Sequence, residues 1–269
     1  MNLRDATIIA VDSETTGVDP AIDQVWEIGT ARGETGQPVK TWSRLYRPAN
    51  PHLSDEVRRV CHVDDELQGA ILSAAPFAVS DAEMLVRAAQ GSIESRWVLT
   101  SYNGLAFDWP ILTAECARVG VTLPQPADGV RLLDACLWVR HFHRDRRDRS
   151  LAGAYIGLCD GKEIAAHRTR GDTIMTLKVT NELARRHRLP MDVDELLAWQ
   201  GDVAAAQAAQ WERFHYYAYE REGAVYCGFG KHCGRPLSEV GDYARWAVDR
   251  LGGEMPPEAL AAFKAVASR

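Results

Sequence analysis

The stretch ATIIAVDSETTG (6–17) decides how the chain is read. Its first half, rich in Ile, Val and Ala, has the composition of a buried strand, and it runs straight into two acids, Asp12 and Glu14. Side chains alternate along a strand, so residues two apart share a face and both carboxylates point the same way. Thr15, Thr16 and Gly17 then end the strand in a tight turn. Two like charges side by side repel unless one is protonated or a cation lies between them. Hard divalent ions take oxygen ligands, so the pair suits Mg²⁺ or Mn²⁺. An exposed acidic strand end has the same spelling, so the rest of the chain must decide.

Working outward, QVWEIGTAR (24–32) and PVKTWSRLYR (38–47) show β-rich alternation across a Gly-containing turn and read as a hairpin. Ser54 is a candidate helix N-cap. Residues 80–90 read as a helix, WVLTSYN (97–103) as a short apolar strand, and 107–119 as a helix stopped by Gly120. Residues 130–142 begin extended and turn helical, and helices are expected over 150–158 and 171–187. Strand, hairpin, then strands alternating with helices predicts an α/β fold with a mixed sheet. Residues 192–222, rich in Ala, Gln and charge, are expected to form one or two surface helices. The composition then shifts to Gly and Cys in CGFGKHCGRPLSEVG (227–241), followed by helical stretches at 238–251 and 256–268. The organisation expected is a catalytic-type domain over 1–190, a helical connector over 191–222 and a small module over 223–269.

The chain has 269 residues and a formal net charge of −6, which argues against holding nucleic acid by bulk charge alone. Local basic patches are then expected to bind a strand, and the charge run HRDRRDR (143–149) is a solvated loop or one such patch. The start of the chain has no signal-peptide pattern and no apolar run long enough for a membrane span, so a cytoplasmic protein with reduced thiols is expected. Cys227, His232 and Cys233 lack a fourth zinc ligand and any familiar spacing, and read as small packing thiols and a neighbour.

Two further segments carry candidate chemistry. Asp108, in NGLAFD (103–108), follows a strand and opens a helix, where a simple dipole-favoured cap is the alternative. His167 and Asp172, in HRTRGD (167–172), are five apart and would fall on different faces of one helix, so His167 is placed on a loop and Asp172 on the helix after it.

Together these segments resemble the DEDDh 3′→5′ exonuclease family, over roughly residues 5–185. VDSETTG (11–17) matches the first motif, NGLAFD the second in its N-x-x-x-F-D form, and HRTRGD the third in its H-x-x-x-x-D form. The resemblance implies a ribonuclease H-like mixed five-stranded sheet flanked by helices. It implies two divalent cations, Mg²⁺ with Mn²⁺ as an alternative, held by Asp12, Glu14, Asp108 and Asp172, with His167 as general base. It also implies that Thr15, Thr16, Gly17, Asn103 and Phe107 contact the terminal nucleotide and that Glu27 helps order the site; Phe107 reads equally as a core residue, and Trp26 and Trp109 read as packing residues. Between the first two motifs, Cys61-His62-Val63 stands where the family has His-Gly-Ile, a departure expected to touch no metal ligand.

The C-terminal FGKHCGRPLSEVGDYARW (229–246) resembles a small module of exodeoxyribonuclease X-like proteins. Lys231 and Arg235 are candidates for gripping phosphate there, and Tyr243 and Trp246 for stacking on bases or for packing their helix. The expected partner is nucleic acid, single-stranded or 3′-ended DNA. The oligomeric state is open, with a dimer as one possibility. An RNA-trimming exonuclease, a proofreading subunit of a polymerase complex and a catalytically silent binding protein are the competing readings.

Overall fold

The computed structural model describes every residue except 35, 36, 144, 145, 147, 162–167, 215, 216, 222, 254, 256 and 269, and the side chains of 209–214 and 258. It divides into two compact units, Met1–Trp138 with Ser150–Gln200, and Val139–Arg149 with Gly201–Arg269. No helix among the described residues is long and apolar enough to cross a membrane.

The first unit is built on β1 (Thr7–Thr15), the central strand of five. On one side it pairs antiparallel with β2 (Val25–Gly33), which pairs in turn with β3 (Lys40–Leu45). After α1 (Asp55–Val60), α2 (Asp65–Ser73) and α3 (Val79–Glu94), the chain returns as β4 (Trp97–Ser101), parallel to β1 on its other side. Then α4 (Asp108–Arg118) leads to β5 (Leu132–Asp134), parallel to β4. The order β3-β2-β1-β4-β5 is the expected mixed five-stranded sheet. The short connections make antiparallel hairpins and the long helical ones make parallel neighbours, as chain reach requires. This unit also holds α6 (Leu151–Cys159) and α7 (Thr169–Arg186), while α5 (Ala135–Phe142) and α8 (Val193–Phe214) begin in it and run on into the second.

The period of two assigns the layers. Val11 joins a core with Leu85 and Ala89 of α3 and Ile111 and Leu112 of α4. α7 packs against β1 and β2, and reaches β4 through the Thr100–Thr180 hydroxyl pair at 2.9 Å. Ser54 caps α1 by accepting from the Val57 amide, and Gly120, at φ +77°, takes the left-handed conformation that ends α4. Trp26 and Trp109 are buried, as expected of packing residues.

The second unit departs from the sequence reading at one place. Residues 218–221, expected to be helical, form β6 (Ala218–Arg221), paired with β7 (Ala224–Cys227). Gly223, at φ +77°, supplies the turn, and Tyr219 stacks on Tyr226 across the pair at 5.5 Å. Cross-strand packing of the tyrosines overrides the helical preference of Ala and Glu here. α9 (Gly241–Leu251) and α10 (Pro257–Ala267) close a core of Cys227, Phe229, Ala244, Ala247 and Phe263.

Candidate active site

The acids gather at the end of β1. Asp12 pairs in register with Gly29, and Glu14 with Glu27, so all four residues lie on the sheet face that receives α7. Gly29 is needed there, because a Cβ at this position would run into the side chain of Thr169. Beside that contact, Arg168 reaches back to buried Glu27 with both ends of its guanidinium, Nε to Oε2 at 3.2 Å and Nη2 to Oε1 at 3.4 Å. The first turn of α7 is therefore held on β2 by a close approach and an ion pair. Asp172, in that first turn, is thereby brought beneath the end of β1. One carboxylate oxygen from each of Asp12, Glu14 and Asp172 lies within 4.8 Å of the other two.

Asp108 is close by but differently held. It opens α4 on the opposite face, and its Oδ1 accepts from the amide of Ser13 at 2.9 Å and from the Ser13 hydroxyl at 2.7 Å. Ser13 points to that face because it sits between Asp12 and Glu14 on an alternating strand. Three of the four expected acids converge, and the fourth is fastened to the strand residue between two of them. His167 lies outside the described residues, and α7 begins two residues after it, so Asp172 is on the helix as expected.

Electrostatics mark the cluster as strained in charge. Burial, followed by the charges of Asp108, Asp172, Glu14 and Glu27, pushes the Asp12 carboxyl well above the ordinary carboxylate range. Burial raises Glu14 to about 8 despite a hydrogen bond that opposes the shift, with Asp172, Glu27 and Asp108 adding to it. That bond comes from Cys61, whose thiol donates to Glu14 Oε2 at 3.2 Å. The substitution in Cys61-His62-Val63 therefore does touch a candidate ligand, contrary to expectation. Cys61 is carried there by a small core with Trp26, Leu53, Val63 and Ile71. Burial also lifts Asp108 to about 7, against the two bonds from Ser13.

The donor set fits a hard divalent cation. Asp12 Oδ2 is buried and accepts no hydrogen bond, a costly state for a carboxylate oxygen unless a cation meets it. The converging atoms are all carboxylate oxygens, which suits Mg²⁺ or Mn²⁺.

The loops beside the acids are ordered by two carboxylates that the sequence reading did not single out. Asp23 accepts from the Thr16 hydroxyl at 2.9 Å and from the Asp19 amide at 2.9 Å, and fills the space where a Gly17 side chain would stand. The Thr16 amide bonds to Gln24, and Thr15 is buried with its hydroxyl on the Gly17 carbonyl. Asp134, at the end of β5, accepts from the amides of Asn103 at 2.8 Å and Leu105 at 3.1 Å. This grip holds Asn103 in the left-handed region, at φ +69°. Phe107 is half-buried against the α3–α4 core. An acid closing a strand, as in LLD (132–134), was the available signal for Asp134.

No family model matches the chain. Over 133 residues it is 32% identical to three prime repair exonuclease 2 of Mus musculus, covering 46% of this chain and 52% of that protein. The chain thus spans about half the length of this relative. A 45-residue stretch is 42% identical to the PolC-type DNA polymerase III of Thermotoga maritima, covering 17% of this chain and 3% of that one. Among solved structures, E. coli exonuclease I bound to a dT13 oligonucleotide matches with a TM-score of 0.52 at 15% identity, over 67% of this chain and 41% of that chain. The zinc-bound form of the same enzyme with single-stranded DNA matches at 0.53 and 13% identity, over 77% and 43%. These structural likenesses concern the fold.

Proposed function

We propose that the chain is a member of the DEDDh 3′→5′ exonuclease family and that it hydrolyses terminal phosphodiesters of DNA from the 3′ end, releasing 5′-mononucleotides; the 32% identity to three prime repair exonuclease 2 supports this, and the likeness to exonuclease I supports its fold. The observation that carries this reading is the convergence of Asp12, Glu14 and Asp172, with an unpartnered buried oxygen on Asp12.

In this reading Asp12, Glu14 and Asp172 hold divalent cations, and Asp108 assists from its place on Ser13. Two such ions, when bound, supply activation of the attacking water and neutralisation of charge on the departing oxygen. Three of the acids are held by the protein: Cys61 donates to Glu14, Ser13 donates twice to Asp108, and Asp172 lies at the positive end of α7. His167 takes the proton of the attacking water, work that its ordinary pKa near 6.5 suits at neutral pH. Thr15, Thr16, Gly17, Asn103 and Phe107 line the terminal-nucleotide pocket, shaped by Asp23 and Asp134.

The relatives name both repair of three-prime ends and a bound deoxyribonucleotide oligomer, and this supports DNA as the substrate. The test incubates the purified chain with 3′- and 5′-labelled single-stranded DNA and RNA, with Mg²⁺ and with EDTA. Mononucleotide release from the 3′ end of DNA, abolished by EDTA, is expected. Decay of RNA alone, or no cleavage of either polymer, overturns the reading.

A further inference from the structure

In the second unit, four aromatic rings form a column that begins in the core and ends in solvent. Phe263 is fully buried and lies 5.9 Å from Phe229, which lies 5.6 Å from Tyr243, which stacks on Trp246 at 5.1 Å and 22°. The last ring, Trp246, is 46% exposed. Tyr243 and Trp246 are three apart on α9, and the structure separates their roles. Tyr243 packs against the core through Phe229, and Trp246 rests on Tyr243 with its indole turned outward.

The Gly-rich turn before α9 wraps the same tyrosine. Gly230, at φ +64°, has no room for a side chain, because a Cβ would meet the Tyr243 hydroxyl. The turn places the Lys231 ammonium 6.0 Å over the Tyr243 ring and the His232 ring 4.6 Å from it. Two neighbouring guanidiniums are engaged in ion pairs: Arg235 pairs with Glu239, and Arg245 with Asp242. The charge balance of the unit suits a polyanion better than that of its companion. It holds 13 lysines and arginines against 11 acids, where the first unit holds 18 against 26.

We propose that Trp246, braced by Tyr243, is a stacking platform for an unpaired base of single-stranded nucleic acid, with Lys231 taking the adjoining phosphate. An exposed indole fixed on a rigid column gives a base a flat partner whose rotamer is already set, so little side-chain entropy is lost on binding. A nearby ammonium adds attraction to the backbone without reading sequence. The choice of nucleic acid as ligand rests on the function proposed above; the platform itself rests on the second unit alone.

The test measures binding of a fluorescent oligothymidylate of about ten nucleotides to the full chain, in EDTA so that no hydrolysis intervenes. Trp246→Ala should weaken binding roughly tenfold, and Trp246→Phe should stay within about threefold of the parent. Lys231→Ala should flatten the dependence of log affinity on log salt by roughly 0.7, one phosphate's share on a single strand. Hydrolysis of the p-nitrophenyl ester of thymidine 5′-phosphate with Mn²⁺, a substrate too short to reach a second site, should be unchanged in all three. Parent-like binding by both Trp246→Ala and Lys231→Ala overturns the proposal, as does equal loss of ester hydrolysis, which would mark a purely structural role. A parent that binds through Trp246 but cleaves no nucleic acid leaves the platform standing and removes the catalytic reading.

Discussion

Cys61 donates its thiol hydrogen to Glu14 Oε2 at 3.2 Å, tying a residue of the α1 region to a candidate metal ligand on the central strand. The bond favours the ionised form of Glu14 and so works against the burial that raises it. Cys61→Ser keeps a donor and should bind Mn²⁺ within about threefold of the parent. Cys61→Ala removes it, and Mn²⁺ affinity at neutral pH should fall by roughly two- to tenfold, the worth of one such bond. Calorimetric titration with Mn²⁺ checks the pair. Equal affinities for Ala and Ser variants would show that the bond contributes nothing to the site.

Metal-free protein should lose stability as the pH rises through the neutral range. Glu14, ordinarily near 4.5, sits at about 8 when folded, and Asp108, ordinarily near 3.8, at about 7. The folded state therefore keeps protons that the unfolded chain has already released. The associated stability is complete below the unfolded values and is lost as pH climbs through 7 to 8. The slope is about 1.4 kcal/mol per pH unit for each proton retained. Thermal melts in EDTA at several pH values report it, and Mg²⁺ should flatten the profile by replacing those protons. A melting temperature that rises across this interval in EDTA would mean that Glu14 and Asp108 do not hold their protons in the folded state.

Asp12→Asn should separate charge from structure. The substitution removes the acid most burdened by its neighbours, so metal-free protein should gain roughly 1 kcal/mol, a rise in Tm of about 2–4 °C at this size. The same variant should lose most of the Mg²⁺-dependent increase in Tm and its exonuclease activity. A variant that is less stable without metal yet still stabilised by Mg²⁺ would show that Asp12 is not at the centre of the cluster.

Gly29 and the Arg168–Glu27 pair set where α7 meets the sheet. Gly29→Ala pushes Thr169 away from β2 and should cost about 1–3 kcal/mol as overpacking. Because Asp172 is three residues further along the same helix, metal affinity should fall with it. Arg168→Ala should lower metal affinity while changing Tm little, since the guanidinium is half-exposed, and Arg168→Lys should recover only part, because a single ammonium cannot span both oxygens of Glu27. Parallel melts and Mn²⁺ titrations distinguish the two effects. Unchanged metal binding in both variants would mean that Asp172 finds its place without this contact.

These contacts show where the sequence is legible and where it is not. Asp12 and Glu14 share a face because a strand alternates, and the apolar run before them is enough to identify the strand. Asp172 can be assigned to a helix start because HRTRGD separates it from His167 by five. The attachment of Asp108 to Ser13 is invisible in NGLAFD, since it depends on the parity of a strand residue 95 positions away. Cys61 reads as a remote substitution until its small core with Trp26 folds it against Glu14. Residues 218–221 spell helix by composition, and only the register with 224–227 makes them a strand. Local pattern thus carries the elements, while the partners of each acid come from tertiary approach.

His167 is the one expected participant outside the described residues, and kinetics can assign it. If it is the general base, His167→Ala should lower kcat by about 10²–10⁴ and leave the dissociation constants of Mn²⁺ and of single-stranded DNA near those of the parent. The pH–rate profile gives the sharper readout. The parent's acid limb should follow an imidazole, falling below about pH 6.5. The variant should lose that limb and depend instead on hydroxide, so its rate rises steadily with pH. A mere loop-shaping role for the imidazole would scale the whole profile down without changing its form. Retention of the acid limb in His167→Ala would assign the limb to the carboxylates of the acidic cluster, where protons compete with the divalent cation for the same oxygens.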